Sequence, residues 1–208
     1  MGRACSSSSS QVSAATTAGV ASPARADGPR QHHGLYLRVG LGPGLALGTA
    51  HPDAGPRGAV RGPAVSTELA VGVTVRPGLV VGAGTFPMIA IGPSYDGTDV
   101  GSHHVSATGP FVDYYVDPQR GLHVQGGVLL AAGYRGGTDA VGAAFGLGLG
   151  ASVGVGYDRW VGRRLSVGAL ARVTHYRLGL NGDDAGADGT VALTAPSLLL
   201  TLTFNGRK

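Results

Sequence analysis

Leu147-Gly148-Leu149-Gly150-Ala151-Ser152-Val153-Gly154-Val155-Gly156-Tyr157 alternates an apolar side chain with glycine or serine at every step. A period of two marks a β-strand with unlike faces, because successive side chains leave the backbone on opposite sides. A helix would scatter the same residues around its circumference, and each interior glycine would cost it about 1 kcal/mol relative to alanine. The stretch is therefore a strand with one greasy face and one nearly bare face.

Working outward, the same alternation recurs along the chain. Near the start, Leu35, Leu37, Val39, Leu41, Leu45 and Leu47 oppose Tyr36, Arg38, Gly40, Gly42, Gly44 and Ala46. Next, Leu69, Val71, Val73 and Val75 oppose Glu68, Ala70, Gly72 and Thr74. At the end, Leu198, Leu200, Leu202 and Phe204 oppose Ser197, Thr201 and Thr203. Softer versions lie between. Val112, Tyr114 and Val116 face away from Phe111, Asp113 and Tyr115, and Val124, Val128 and Leu130 from His123, Gln125 and Gly127. Leu165, Val167, Ala169, Ala171 and Val173 oppose Ser166, Gly168, Arg172 and Thr174. Segment 79–90 is apolar or glycine almost throughout. Pro43, Pro87, Pro110 and Pro196 fall inside these segments, where proline removes a ladder donor, so bulges or strand ends are expected to absorb them.

Composition narrows what such strands can build. Of 208 residues, 43% are apolar and only 13% charged, which disordered chains are not. No run of 18 or more apolar residues is present to make a transmembrane helix. An apolar chain without such a helix can cross a membrane only as a closed barrel. The lone Cys5 excludes a disulfide framework or a cysteine metal site. The net charge of +4 is scattered without a basic block, so no nucleic-acid partner is expected. No cofactor is expected either: Gly40–Gly44 and Gly146–Gly150 lack the following helix that a phosphate-binding loop requires.

The connections order the strands. Segments 76–78, 118–121 and 158–163 are short and carry turn residues, whereas 51–64, 91–107, 135–145 and 179–189 are long and polar. Short turns on one side and long loops on the other predict an eight-stranded antiparallel up-and-down transmembrane β-barrel over 34–205. Both termini would then lie on the short-turn side, with four long loops outside the cell. Tyr36, Tyr157, Trp160 and Phe204 at one end, and Tyr134 and Tyr176 at the other, are expected to form interfacial girdles. Residues 1–33 are Ser/Ala/Thr-rich, and Ala24-Arg25-Ala26 has the small-residue form of a secretory cleavage site. This leader is read as a degenerate signal peptide or a disordered segment.

Arg38, Glu68, Asp113, His123, Gln125 and Arg172 fall on the inferred lumen face and form a candidate polar network. An arginine facing lipid at mid-depth would cost roughly 2–4 kcal/mol, which favours the lumen for Arg172. Two readings follow. Opposite charges can pair into a plug inside a barrel too narrow for water flow. Alternatively, Gly40, Gly42, Gly72, Gly82, Gly84, Gly148 and Gly150 leave room for a narrow polar pore. Asp183, Asp184 and Asp188, like Asp96, Asp99, His103 and His104, read as solvated loop residues, because a hard cation needs six or more converging oxygens. The adjacent histidines His32-His33 and His103-His104 point apart, so no metal is expected.

With this pattern the chain resembles the small bacterial outer-membrane β-barrel proteins over residues 34–205. Leu200-Thr201-Leu202-Thr203-Phe204 looks like the alternating, aromatic-ended signal by which such barrels are recognised for assembly. The resemblance implies that Leu200, Leu202 and Phe204 meet the barrel-assembly machinery, although Asn205-Gly206-Arg207-Lys208 follow where members usually end on the aromatic. It also implies location in the cell outer membrane, contact with outer-membrane lipid and a monomeric state. His175-Tyr176 is similar to the His-Tyr-Ser-Asn stretch of outer-membrane lipid A deacylases, but the nucleophile position holds Arg177, so no enzyme is expected. The leading reading is a structural or surface-interaction barrel. A narrow passive pore, a membrane-embedded lipid hydrolase and a secreted soluble ligand-binding barrel are the alternatives.

Overall fold

The computed structural model describes residues 34–53, 56–99, 101–135, 143–182 and 188–206. The leader with Cys5 and His32-His33, and the loop residues Asp183 and Asp184, lie outside the described residues.

The chain forms β1 (Leu35–Pro52), β2 (Gly58–Arg76), β3 (Leu79–Thr85), β4 (Met88–Ala90), β5 (Ser94–Tyr95), β6 (Thr98–Asp99), β7 (His103–Tyr115), β8 (Leu122–Arg135), β9 (Ala144–Trp160), β10 (Leu165–Gly182) and β11 (Gly189–Asn205). β3 and β4 are one stave: Leu69↔Thr85 and Ser66↔Met88 hold a single register against β2 across Phe86-Pro87. Each stave pairs antiparallel with its neighbour in sequence, and β1 pairs with both β2 and β11. The result is a closed ring of eight staves, the expected antiparallel up-and-down barrel. Closure matters physically because it leaves no strand edge with unpaired backbone groups. β5 and β6 make a small hairpin beside the far end of β2, through Val60↔Tyr95 and Arg61↔Ser94.

The alternation sorts side chains as a membrane wall requires. Leu200, Leu130, Leu147 and Leu149 point outward and are exposed, with Leu200 at 73%. The inward residues are buried, and they differ by depth. Toward the end where β1 begins and β11 finishes (the turn end) they are polar: Arg38, Glu68, Asp113, His123, Gln125, Asp158 and Arg172. Toward the opposite (loop) end they are apolar: Ala46, Val60, Phe86, Met88, Val105, Leu129, Leu178 and Leu193 pack in one cluster. Burying each large apolar side chain there contributes about 1.5–3 kcal/mol.

Four details differ from the expectations above. First, the staves run further toward the loop end, so the connections there shrink to 53–57, 91–102, 136–143 and 183–188. Beyond the apolar band the outward positions turn polar, as at Thr49, His51, Arg61, His175 and Arg177, so the hydrophobic alternation fades while the backbone ladder continues.

Second, the prolines do not shift the register. Leu41↔Leu200 and Gly44↔Ser197 share one register across Pro43, while Pro43 itself pairs with Val65. Pro110 and Pro196 each interrupt one ladder likewise and pair on their other side, with Ala83 and Val173. Pro87 sits in the break of its stave, where Thr67 N donates to its carbonyl at 3.0 Å.

Third, the lumen glycines do not leave room. A side chain at Gly42 or Gly148 would run into the carbonyls of Leu198 and Arg177 on the adjoining staves, and one at Gly84 into the Phe86 ring. Their missing Cβ permits close packing of staves and rings. Fourth, Tyr36 and Tyr176 belong to no girdle. Both point inward and are buried, whereas Tyr114 and Tyr157 near the turn end and Tyr134 and Phe145 near the loop end face outward.

Candidate functional site

Arg38 on β1 is fully buried and reaches across the interior to β7 and β9. Its Nη1 lies 2.8 Å from Asp113 Oδ2, off the N–H axis, so this contact is Coulombic rather than a formed hydrogen bond. Nη2 donates to Asp158 Oδ2 at 3.1 Å and to the Tyr115 hydroxyl at 2.9 Å, and Nε donates to Thr203 Oγ1 at 3.1 Å. Asp113 is held from two further sides. Tyr36 donates its hydroxyl proton to Oδ2 at 2.8 Å, and His123 Nδ1 lies 2.7 Å from Oδ1. An imidazole with its proton on Nδ1 satisfies this contact and leaves the Nε2 lone pair facing Arg38 Nη2 at 3.3 Å. Tyr115 stacks on the His123 ring at 4.9 Å and donates to Asp158 Oδ2 at 2.8 Å. The hydroxyls of Thr201 and Thr203 complete the surround of Asp158 at 3.3 Å each.

Glu68, Gln125 and Arg172 form a second group. Arg172 Nη1 donates to Glu68 Oε2 at 2.9 Å, and Gln125 Nε2 donates to Glu68 Oε1 at 2.9 Å. Arg172 Nη2 reaches the Thr67 carbonyl at 3.1 Å, and the guanidinium lies 5.2 Å from the Phe86 ring centre. Asp113 and Gln125 are register partners, so the two groups adjoin. Phe86 is the junction with the apolar cluster: its carbonyl accepts from the Tyr176 hydroxyl at 3.1 Å.

All six lumen candidates thus point inward, in two linked groups. Asp158, Tyr115, Tyr36, Thr201 and Thr203, which also take part, were not among them. The residues 158–163 read as a turn, yet Asp158 to Trp160 continue β9. The parity of Ser152, Gly154 and Gly156 extended by one step would have placed Asp158 inside. Bare charge pairs buried this way cost desolvation, which their mutual attraction offsets only when the remaining lone pairs are also satisfied. Here the surrounding hydroxyls do that for Asp158, while Arg172 Nε and Gln125 Oε1 lack a hydrogen-bond partner among the described residues.

The other candidates lie apart. His175 points outward, with Nδ1 3.0 Å from Thr194 Oγ1. His103 is buried inside and His104 exposed outside, on opposite faces of β7. Asp96 accepts from the Ala59 amide at 2.9 Å and so ties the β5–β6 hairpin to β2. Asp188 is exposed beside Asp53, whose amide donates to its carbonyl at 3.0 Å. Leu200 and Leu202 face outward on β11, and Phe204 is half-buried between register partners Leu37 and Leu165.

The chain matches no protein-family profile and no curated protein. Among solved structures it is similar to the crystal structure of Neisserial surface protein A, at 17% identity and a TM-score of 0.50, over 83% of this chain and 97% of that one. It is also similar to the solid-state NMR structure of the outer membrane protein AlkL in DMPC lipid bilayers, at 14% identity and a TM-score of 0.53, over 90% and 97%. At such identities the likeness speaks for the fold. The fold is that of the small outer-membrane β-barrels.

Proposed function

We propose that this barrel is a sealed outer-membrane scaffold whose work is done outside its lumen, by the loops it displays at the cell surface and by its wall. One observation carries this reading: the interior is filled at two depths. Buried ion pairs cross the turn-end half, and apolar side chains fill the loop-end half. Water and ions would have to break charge pairs at one level and enter a greasy plug at the other. With the lumen closed, the surfaces left for partners are the connections 53–57, 91–102, 136–143 and 183–188 and the lipid-facing wall.

On this reading the termini and the connections 77–78, 116–121 and 161–164 face the periplasm, and the barrel acts as a monomer without catalysis. Leu200, Leu202 and Phe204 serve as the recognition stripe for the assembly machinery. Their outward direction supports that role, since a stripe on the outer wall is reachable before the strand is inserted.

The test is single-channel recording in planar bilayers. A sealed scaffold adds no conductance steps, and stable steps would replace this reading with the narrow pore. Fatty-acid release from reconstituted vesicles would point to the hydrolase, and extraction without detergent to the soluble barrel.

A further inference from the structure

On the outside of the wall near the loop end, β10, β11 and β1 together with Arg57, just before β2, surround a depression of about 330 Å³. His51, Arg57, His175, Arg177 and Thr190 line it, with Ala192 as part of its floor. Register makes the cluster continuous: Arg177 opposes Ala192 and Thr190 opposes His51, so the cations stand on either side of small residues. Arg57 and Arg177 are exposed, and among the described residues no carboxylate pairs with either. Toward the turn end the same staves present Val173, Leu198, Leu45 and Leu47 to lipid. The depression therefore sits where the apolar band ends and headgroups begin.

We propose that this depression binds a phosphate of an outer-leaflet lipid headgroup, with the acyl chains of that lipid lying against Leu45, Leu47, Val173 and Leu198. The charge demands an anion. Arginine forms paired, charge-assisted hydrogen bonds to phosphate oxygens, and the Thr190 hydroxyl adds a neutral donor. The depth selects a lipid as its source, because a free anion would gain nothing from the greasy surface below. This rests on the proposed orientation, with the loop end outermost.

The full-length barrel in detergent micelles, where orientation in a cell plays no part, is titrated by native mass spectrometry with a bisphosphorylated acyl-glucosamine disaccharide lipid. The barrel should retain it, and the Arg57→Gln/Arg177→Gln double variant should bind it about tenfold or more weakly, the loss expected for one charge-assisted hydrogen bond. Arg159→Gln, which removes an exposed cation near the turn end, should bind as the parent does. The heat-dependent gel mobility of each variant checks that it is folded. Equal retention of the dephosphorylated lipid, equal binding by the double variant, or binding of inorganic phosphate as tight as that of the lipid would each overturn the proposal. A barrel that conducts yet retains the lipid through these arginines would overturn the sealed-scaffold reading alone.

Discussion

Arg38 and Asp113 meet inside the barrel at 2.8 Å although their strands, β1 and β7, stand three staves apart around the ring. Glu68 on β2 and Arg172 on β10 are also three staves apart, and they meet at 2.9 Å. Two such cross-lumen ties brace the wall from within, like struts set at adjoining levels.

The struts predict an asymmetry in mutational cost. Arg172→Met strands Glu68 as a buried charge, and Glu68→Gln strands Arg172. Each single change is expected to cost about 3–5 kcal/mol. The double variant removes both charges and should be markedly less damaged than the sum of the singles. Urea unfolding in lipid vesicles, run as a double-mutant cycle, measures the coupling. Strict additivity would mean that the pair is not a strut.

The sidedness of the connections predicts accessibility. A short epitope inserted in 91–102 should be labelled on intact cells, and one in 116–121 should not until the outer membrane is opened. Loop tips tolerate insertion, and within 91–102 the stretch 101–102 lies outside the β2–β5 and β5–β6 pairings and is the place for it. Labelling of both sites on intact cells would count against the proposed orientation.

How much of this was legible beforehand follows from what each signal measures. Period-two alternation reports which face a residue occupies, so Arg38, Glu68, Asp113, His123, Gln125 and Arg172 could be assigned to the lumen from local pattern. It says nothing of who meets whom. The Arg38–Asp113 contact depends on ring size and stagger, which no local window contains. Asp158 was missed because an aspartate followed by Gly162 looks like turn chemistry, and the lumen half of the pattern just before it is only glycine. Tyr36 and Tyr176 were misread by a different route. Their closeness to the strand ends suited a girdle, but their parity with buried partners, Arg38 and Thr174, governs where the rings go.

The proline interruptions predict a way to strengthen the barrel. Pro196 pairs with Val173 on β10 but breaks the ladder toward β1, between Gly44↔Ser197 and Leu47↔Thr194. Its position is half-buried on the outward face, where a valine would suit both lipid and strand. Pro196→Val restores an amide donor facing Leu45 and should raise stability by about 0.5–1.5 kcal/mol, the net worth of one hydrogen bond. A higher urea midpoint for the variant in vesicles checks this, and an unchanged or lower one would show that the strands at the β1–β11 closure stand too far apart to use the donor.

The two faces of β9 give the sharpest contrast. Val153 is 59% exposed on the outward face, and Ser152 beside it is buried with its hydroxyl lacking a partner among the described residues. Val153→Arg places a cation against acyl chains in the middle of the strand, where the penalty is roughly 2–4 kcal/mol. Ser152→Ala removes an oxygen that gains nothing in the fold and should leave stability unchanged or slightly raised. Ser152→Arg is expected to fail as well, because Ser152 is buried in the filled interior, where a long cation has no room. The decisive pair is therefore Val153→Arg against Val153→Leu. Both enlarge the side chain, and only the first charges it. Refolding yield into vesicles should collapse for arginine and hold for leucine. If both fold equally well, the outward face of β9 does not meet lipid, and the membrane reading of the alternation from Leu147 to Tyr157 loses its foundation.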